Sequence, residues 1–231
     1  MAKRAFTDAE LKELGTRTID LLKQAIAAGD QKKAGQVADR WLTEHQAIHD
    51  LYLHWIASLM SYIYTQDGEK ALYQAMREFY EACGMPDPGE GDFRSKVEGV
   101  AMVLRAHLVP LKVEEDDEKV TVTMQPCGSG EKLLKTGKYA PPYNFAMIQK
   151  PHPMTWGKTN FPSYCVHAPI MEIMSIEKYG YTMSPCVPAE NVAESSCRHR
   201  IYKNPADIPE DVYTRVGMKK PRKLPLSKRG N

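Results

Sequence analysis

Pro110-Leu111-Lys112-Val113-Glu114-Glu115-Asp116-Asp117-Glu118-Lys119-Val120-Thr121-Val122-Thr123-Met124 is the stretch on which the fold turns. Leu111 and Val113 alternate with Lys112 and Glu114. Beyond the acidic turn Glu115 to Glu118, Val120, Val122 and Met124 alternate with Thr121 and Thr123. Successive side chains of a strand point to opposite faces, so this period of two predicts a β-hairpin with one apolar face and one wet face. On the N-terminal side the apolar spacing is threes and fours instead.

Thr7-Asp8-Ala9-Glu10 has the form of a capping box and predicts a helix to about Ala28, stopped by Gly29-Asp30. A longer helix follows from about Lys32 to Tyr64, with Val37, Trp41, Ile48, Tyr52, Trp55 and Leu59 as its buried stripe. At that spacing the Trp41, Tyr52, Trp55 and Tyr62 aromatics read as core. A third helix starts at Asp67-Gly68 and closes at Gly84 and Pro86. Asp92 caps a fourth through Val97, Val100, Val103 and Leu104. Four helices with short connections read as a bundle.

On the C-terminal side, residues 135–163 are rich in Pro, Gly, Tyr and Asn and predict a surface wrap or a cover over a site. Pro169 suits the first turn of a helix and Gly180 its end, with strands expected at 181–187 and 197–203. The division expected is therefore a helical part over 1–107, a mixed part over 108–216 and a basic flexible tail over 217–231. The fold class is α+β: a helical bundle packed on a smaller mixed part that carries the hairpin and a Cys/His metal site.

Composition narrows the function classes. The 231 residues are 42% hydrophobic, enough for a sizeable core, and 31 basic against 29 acidic side chains leave a net charge of +2. No global field calls for nucleic acid, and the basic tail lacks the interleaved aromatics of a nucleic-acid module. Neither a signal peptide nor a membrane span is read, so the expectation is a soluble cytoplasmic protein, with a homo-oligomer left open. The cysteine count is five, an odd number, and in a reducing compartment thiols serve metals or catalysis more than disulfides.

The chemistry concentrates late in the chain. Cys165-Val166-His167 and Cys197-Arg198-His199 repeat one pattern with Cys186 between them, and in a strand residues two apart project to one side. Thiolate and imidazole are zinc's ligands, so Cys165, His167, Cys186, Cys197 and His199 are the candidate metal set. Heme or an iron–sulfur cluster uses the same types. Cys165 lies just ahead of the helix expected at Pro169, where the helix N-terminus would lower its pKa. Cys127-Gly128-Ser129-Gly130 could turn its amides toward a substrate oxyanion, or simply supply glycines for positive φ. His45 and His49, one helical turn apart, and His107 beside Arg105 are candidate proton-transfer and substrate-binding groups. Arg198 and Arg200, alternate to His199, face the other way and read as surface ion pairs.

Cys165, an acidic residue in the following helix, Cys186, and Cys197 with Arg198 leading into a last strand resemble the four-vinyl-reductase domain and the similar 2-aminothiazoline-4-carboxylate hydrolase group, over about a third of the chain. In sensor members of the former, zinc held by three cysteines and a glutamate shapes a small-molecule pocket. The latter hydrolyse a cyclic carbon–nitrogen bond. The resemblance implies Cys165, Cys186 and Cys197 as zinc ligands, with Glu172 or Glu177 as the carboxylate.

The sequence thus predicts a zinc-dependent hydrolase of a C–N or C–S bond in a small polar metabolite. Two alternatives stand beside it: a small-ligand-binding or sensing module with a structural zinc, and an enzyme using Cys127 or Cys165 as nucleophile.

Overall fold

The computed structural model describes residues 5–84, 88, 90–190, 196–222 and 224. It is α+β, and its chain divides into two compact units, Met1–Tyr52 and Leu53–Asn231. No helix among the described residues is long and apolar enough to cross a membrane.

The first unit holds α1 (Asp8–Leu14), α2 (Thr18–Ala27) and the start of α3 (Gln31–Cys83). The capping box forms as expected: Thr7 accepts from the Glu10 N–H, and the Glu10 carboxylate accepts from the Thr7 N–H at 2.7 Å. One helix was expected to Ala28, but two form, because Gly15 caps the first and Arg17, in extended conformation, restarts the second. Among the described residues of this unit only Leu21, Ala25 and Val37 are buried apolar side chains.

Helix α3 runs on to Gly68, whose φ of 80° breaks the helical path, and resumes to Cys83. The stripe expected to be core is mostly surface. Val37 is buried, while Trp41, Ile48, Tyr52, Trp55 and Leu59 are 45% to 58% exposed, and Tyr62 is exposed as well. In the second unit α3 buries the opposite face, Leu53, Ala57 and Met60.

Helix α4 (Phe93–Arg105) is capped by Asp92, whose side chain accepts from the Ser95 N–H at 2.7 Å. It packs on the sheet: Val100 and Leu104 are buried with Val120, Val122, Met124 and Ile201. The fourth member of the expected bundle is therefore the lid of a β-layer. Covering such side chains contributes roughly 1.5–3 kcal/mol each.

The hairpin forms where expected, as β1 (Leu111–Glu115) and β2 (Lys119–Met124), paired from Leu111 with Met124 to Glu115 with Val120. Only β2 shows the alternation in its burial; Val113 on the outer strand is 53% exposed. With β5 (Cys186–Val187) and β6 (Arg198–Tyr202) these strands make an antiparallel sheet in the order β1-β2-β6-β5. The strand expected over 181–187 is thus only two residues long.

Between the hairpin and β5 lie α5 (Gly130–Lys135), the short pair β3 (Met147–Ile148) and β4 (Phe161–Pro162), and α6 (His167–Tyr179), which Gly180 closes at φ 83°. Helix α6 is the centre of the main core. Ile170, Ile173, Met174 and Ile176 pack with Leu72, Met154, Trp156, Phe161 and Tyr213, the last in α7 (Glu210–Thr214). Of the tail expected to be flexible, Lys220 is tied down by donating to the carbonyls of Ala206 and Ile208, whereas Lys223, Lys228 and Arg229 lie outside the described residues.

Candidate functional site: a cysteine cluster beside an open cavity

The segment Cys127-Gly128-Ser129-Gly130 leaves β2 and enters α5 in the second unit. Its glycines are there for close approach. A Cβ on Gly128 would sit 2.7 Å from the His107 carbonyl oxygen, and one on Gly130 would sit 2.5 Å from Cys165 Sγ. Neither residue has positive φ, so the turn-geometry reading of these glycines is corrected. The loop is wedged with His107 on one side and Cys165 on the other, and Cys127 Sγ lies 3.5 Å from Ser129 Oγ.

Glu131, 2% exposed, anchors the loop. Its carboxylate accepts from the Cys127 N–H at 2.8 Å and the Ser196 hydroxyl at 2.7 Å, and pairs with Lys135. Burial alone would raise its pKa, but Lys135 and the two hydrogen bonds outweigh burial and hold it below the usual carboxylate value.

Ser196 leads into Cys197 and β6, and Cys186 stands opposite His199 in the β5–β6 register. The Cys186 and Cys197 thiols are hydrogen-bonded to each other, which pushes Cys186 well up, with burial adding to it. The same bond, helped by the Ala189 N–H and the positive charge of Lys158, brings Cys197 down to about 7. Cys165 is pushed well up, first by burial and then by Cys197 and Cys127. The lowering expected from the helix N-terminus is therefore overturned at Cys165: loss of hydration outweighs the helix dipole.

His167 is the first residue of α6, its Nδ1 2.7 Å from the Tyr164 carbonyl, and burial lowers its pKa. His199 falls to about 4 through burial, then through the proximity of His167 and His107. Folding thus gathers Cys127, Cys165, Cys186, Cys197, His107, His167 and His199, residues spread over about two fifths of the sequence, into one region of one unit. His45 and His49 belong to the other unit, where His45 is exposed and His49 Nδ1 is 3.1 Å from Asp50. Arg105 is exposed in the last turn of α4; its carbonyl accepts from the Leu108 N–H at 2.8 Å, and its side chain makes no hydrogen bond or ion pair to another described residue.

Of the candidate carboxylates, Glu177 pairs with Arg77 at 2.7 Å. Glu172 is buried and adjoins Cys186, but its oxygens are taken: Trp156 Nε1 donates at 2.7 Å, Arg215 at 2.8 and 2.9 Å, and the Cys186 N–H also donates. Burial pushes its pKa up and Arg215 opposes this. Glu194 and Ser195, which precede Ser196-Cys197 in the sequence, lie outside the described residues. Among the described residues no group of three or more His, Cys, Asp or Glu side chains is arranged to hold a metal ion.

A cavity of about 630 Å³ opens beside the cluster, lined by Gln125, Pro126, Glu131, Ala189, Ser196 and Arg198 among others. Arg198 makes no ion pair with another described residue, so the expectation that it serves a surface salt bridge is replaced by a cation in a cavity wall. A second cavity of about 350 Å³, lined by Lys96, Tyr181, Tyr202 and Lys203 among others, touches none of the cysteines.

Sequence reasoning missed Glu131, Ser196, Lys158 and Arg215. Glu131 had a signal, four residues from both Cys127 and Lys135, the spacing of one helical turn. Arg215 had none, since only the tertiary fold brings it to Glu172. No protein family, curated protein or solved structure matches the chain.

Proposed function

We propose that the chain is a hydrolase acting on a carbon–nitrogen or carbon–sulfur bond of a small polar metabolite, with the Cys197 thiolate as the attacking group. One observation carries this reading: Cys197, whose thiol is held near pKa 7, stands in the chain between Ser196 and Arg198, which line the 630 Å³ cavity although Cys197 itself does not. A thiol at that pKa is about half thiolate at neutral pH and keeps most of its nucleophilicity. Attack on an acyl carbon forms a sulfur–carbon bond and breaks its carbon–nitrogen or carbon–sulfur bond, and the departing group takes a proton from water in the cavity. A second water then cleaves the thioester, releasing the acid and restoring the thiolate. Glu131 and Ser196 would orient that water, and Arg198 would hold an anionic group of the substrate. The resemblance of Cys165, Cys186 and Cys197-Arg198 to the 2-aminothiazoline-4-carboxylate hydrolase group supports the same bond class, and reduced thiols suit a cytoplasmic setting.

A second reading draws on the proximity of the four sulfurs. Cys127, Cys165, Cys186 and Cys197 are soft donors of the type zinc takes, but no three of them are arranged to hold an ion among the described residues, and Glu172 does not fit as a ligand because both its oxygens are committed. Zinc held by four thiolates would have no open position for water, so it would serve structure around a small-ligand pocket.

Iodoacetamide labelling followed by peptide mapping across pH separates the two. The hydrolase reading expects Cys197 to alkylate with a midpoint near pH 7 and Cys197→Ser to lose turnover on a panel of cyclic amides and cyclic thioesters. Stoichiometric zinc in untagged protein, lost in Cys165→Ser and Cys197→Ser, would establish the metal reading instead. Unchanged turnover in Cys197→Ser would reject the thiolate mechanism.

A further inference from the structure

The heptad spacing in α3 is independent of the cysteine site. Trp41, His45, Ile48, Tyr52, Trp55, Leu59 and Tyr62 follow one another at intervals of four and three, which is the a/d repeat of a helix that pairs with another helix. Six of the seven are large and apolar, and those six are between 45% and 63% exposed. In the second unit the opposite face of the helix, Leu53, Ala57 and Met60, is already buried in the chain's own core. A helix that is apolar on both faces is stable in water only when both are covered.

We propose that the 41–62 face of α3 is a dimerisation surface whose occupant is the same helix of a second copy of this chain. The sequence of that face decides the occupant. From Trp41 to Tyr62 there is no lysine or arginine, so the basic border that holds an amphipathic helix on a membrane is missing. The positions flanking the seam include Leu42, Leu51 and Ile56, all exposed, so few like charges would oppose an identical helix. Half-exposed side chains of this size show roughly 100 Å² each, so the six with Leu42 and Ile56 offer about 800 Å² per copy, the area of a standard stable interface. The first unit gives an independent reason. Three buried apolar side chains among its described residues cannot offset the chain entropy of some fifty residues, and a partner over Trp41, Leu42 and Ile48 would supply the missing burial.

Sedimentation of the full chain at micromolar concentration tests this. The expected mass is twice the 26.1 kDa of one chain. Trp55→Glu with Leu59→Glu should give monomers, while Leu53→Ala, on the buried face, should lower Tm and leave the dimer intact. The wild-type Tm should also rise with protein concentration, a readout that needs no variant. A wild-type monomer with a concentration-independent Tm would overturn the proposal, whether or not that monomer binds anionic lipid vesicles. So would a dimer that survives both glutamates.

Discussion

Two glycines show how local contact decides what a residue is for. Gly128 and Gly130 stand where a methyl group would meet the His107 carbonyl oxygen at 2.7 Å and Cys165 Sγ at 2.5 Å. The first obstacle is backbone and cannot step aside. Gly128→Ala should therefore destabilise by about 1–3 kcal/mol, read as a lower urea midpoint, and should displace the loop that carries Cys127. Gly99 in α4 has nothing within 4 Å of the same methyl position, so Gly99→Ala should stabilise by about 0.5–1 kcal/mol. Equal effects at both positions would show that the close approach is not what holds Gly128. Glu172 is a residue of another kind, buried and shared by Trp156, Arg215 and the Cys186 N–H. Glu172→Ala leaves the guanidinium and the indole N–H without a partner and should cost roughly 3–5 kcal/mol in chemical denaturation, far more than an exposed ion pair. A loss below 1 kcal/mol would mean that water replaces the carboxylate.

At the scale of elements, what was legible in the sequence is what short-range chemistry controls. The capping box at Thr7, the Asp92 cap, the hairpin from Leu111 to Met124 and the Gly180 stop all lie where their residues put them, since each rests on hydrogen bonds or φ angles within a few positions. Asp92→Ala should accordingly cost about 1 kcal/mol, measurable as a drop in Tm, because a single side chain satisfies the Ser95 N–H. An unchanged Tm would show that water caps the helix equally well. Periodicity located the long helix but not its buried face. A repeat of threes and fours states that a face is apolar and is silent on whether the cover comes from the same chain or another. That is why Trp41, Ile48 and Trp55 were assigned to a core that Leu53, Ala57 and Met60 fill. The placement of α4 was illegible for a related reason: Val100 and Leu104 suit a bundle or a sheet equally, and the β2–β6 layer takes them.

Across the whole molecule, the thiols and imidazoles were readable as a doubled Cys-x-His pattern. Their partners were not, because Glu131, Ser196, Glu172 and Arg215 come together only through the packing of α5, α6 and the sheet. The same packing has a consequence for acid stability. His199 has a pKa of about 4 in the folded protein against 6.5 as an ordinary imidazole, because burial and two neighbouring histidines disfavour its charged form. The unfolded chain therefore takes up a proton near pH 6.5 that the folded chain refuses until about pH 4. The stabilisation is fully present above pH 6.5 and is lost as the pH falls through that window. A displacement of this size corresponds to on the order of 3 kcal/mol at one group, and His167, lowered by burial as well, acts in the same direction. Unfolding free energy should thus fall steeply from pH 6.5 to 4 and flatten below. His199→Leu, which keeps an apolar side chain opposite Val122, should remove the larger part of that slope while leaving stability at pH 8 much less affected. Urea titrations of both proteins at several pH values decide it, and parallel pH profiles would show that the acid sensitivity arises elsewhere.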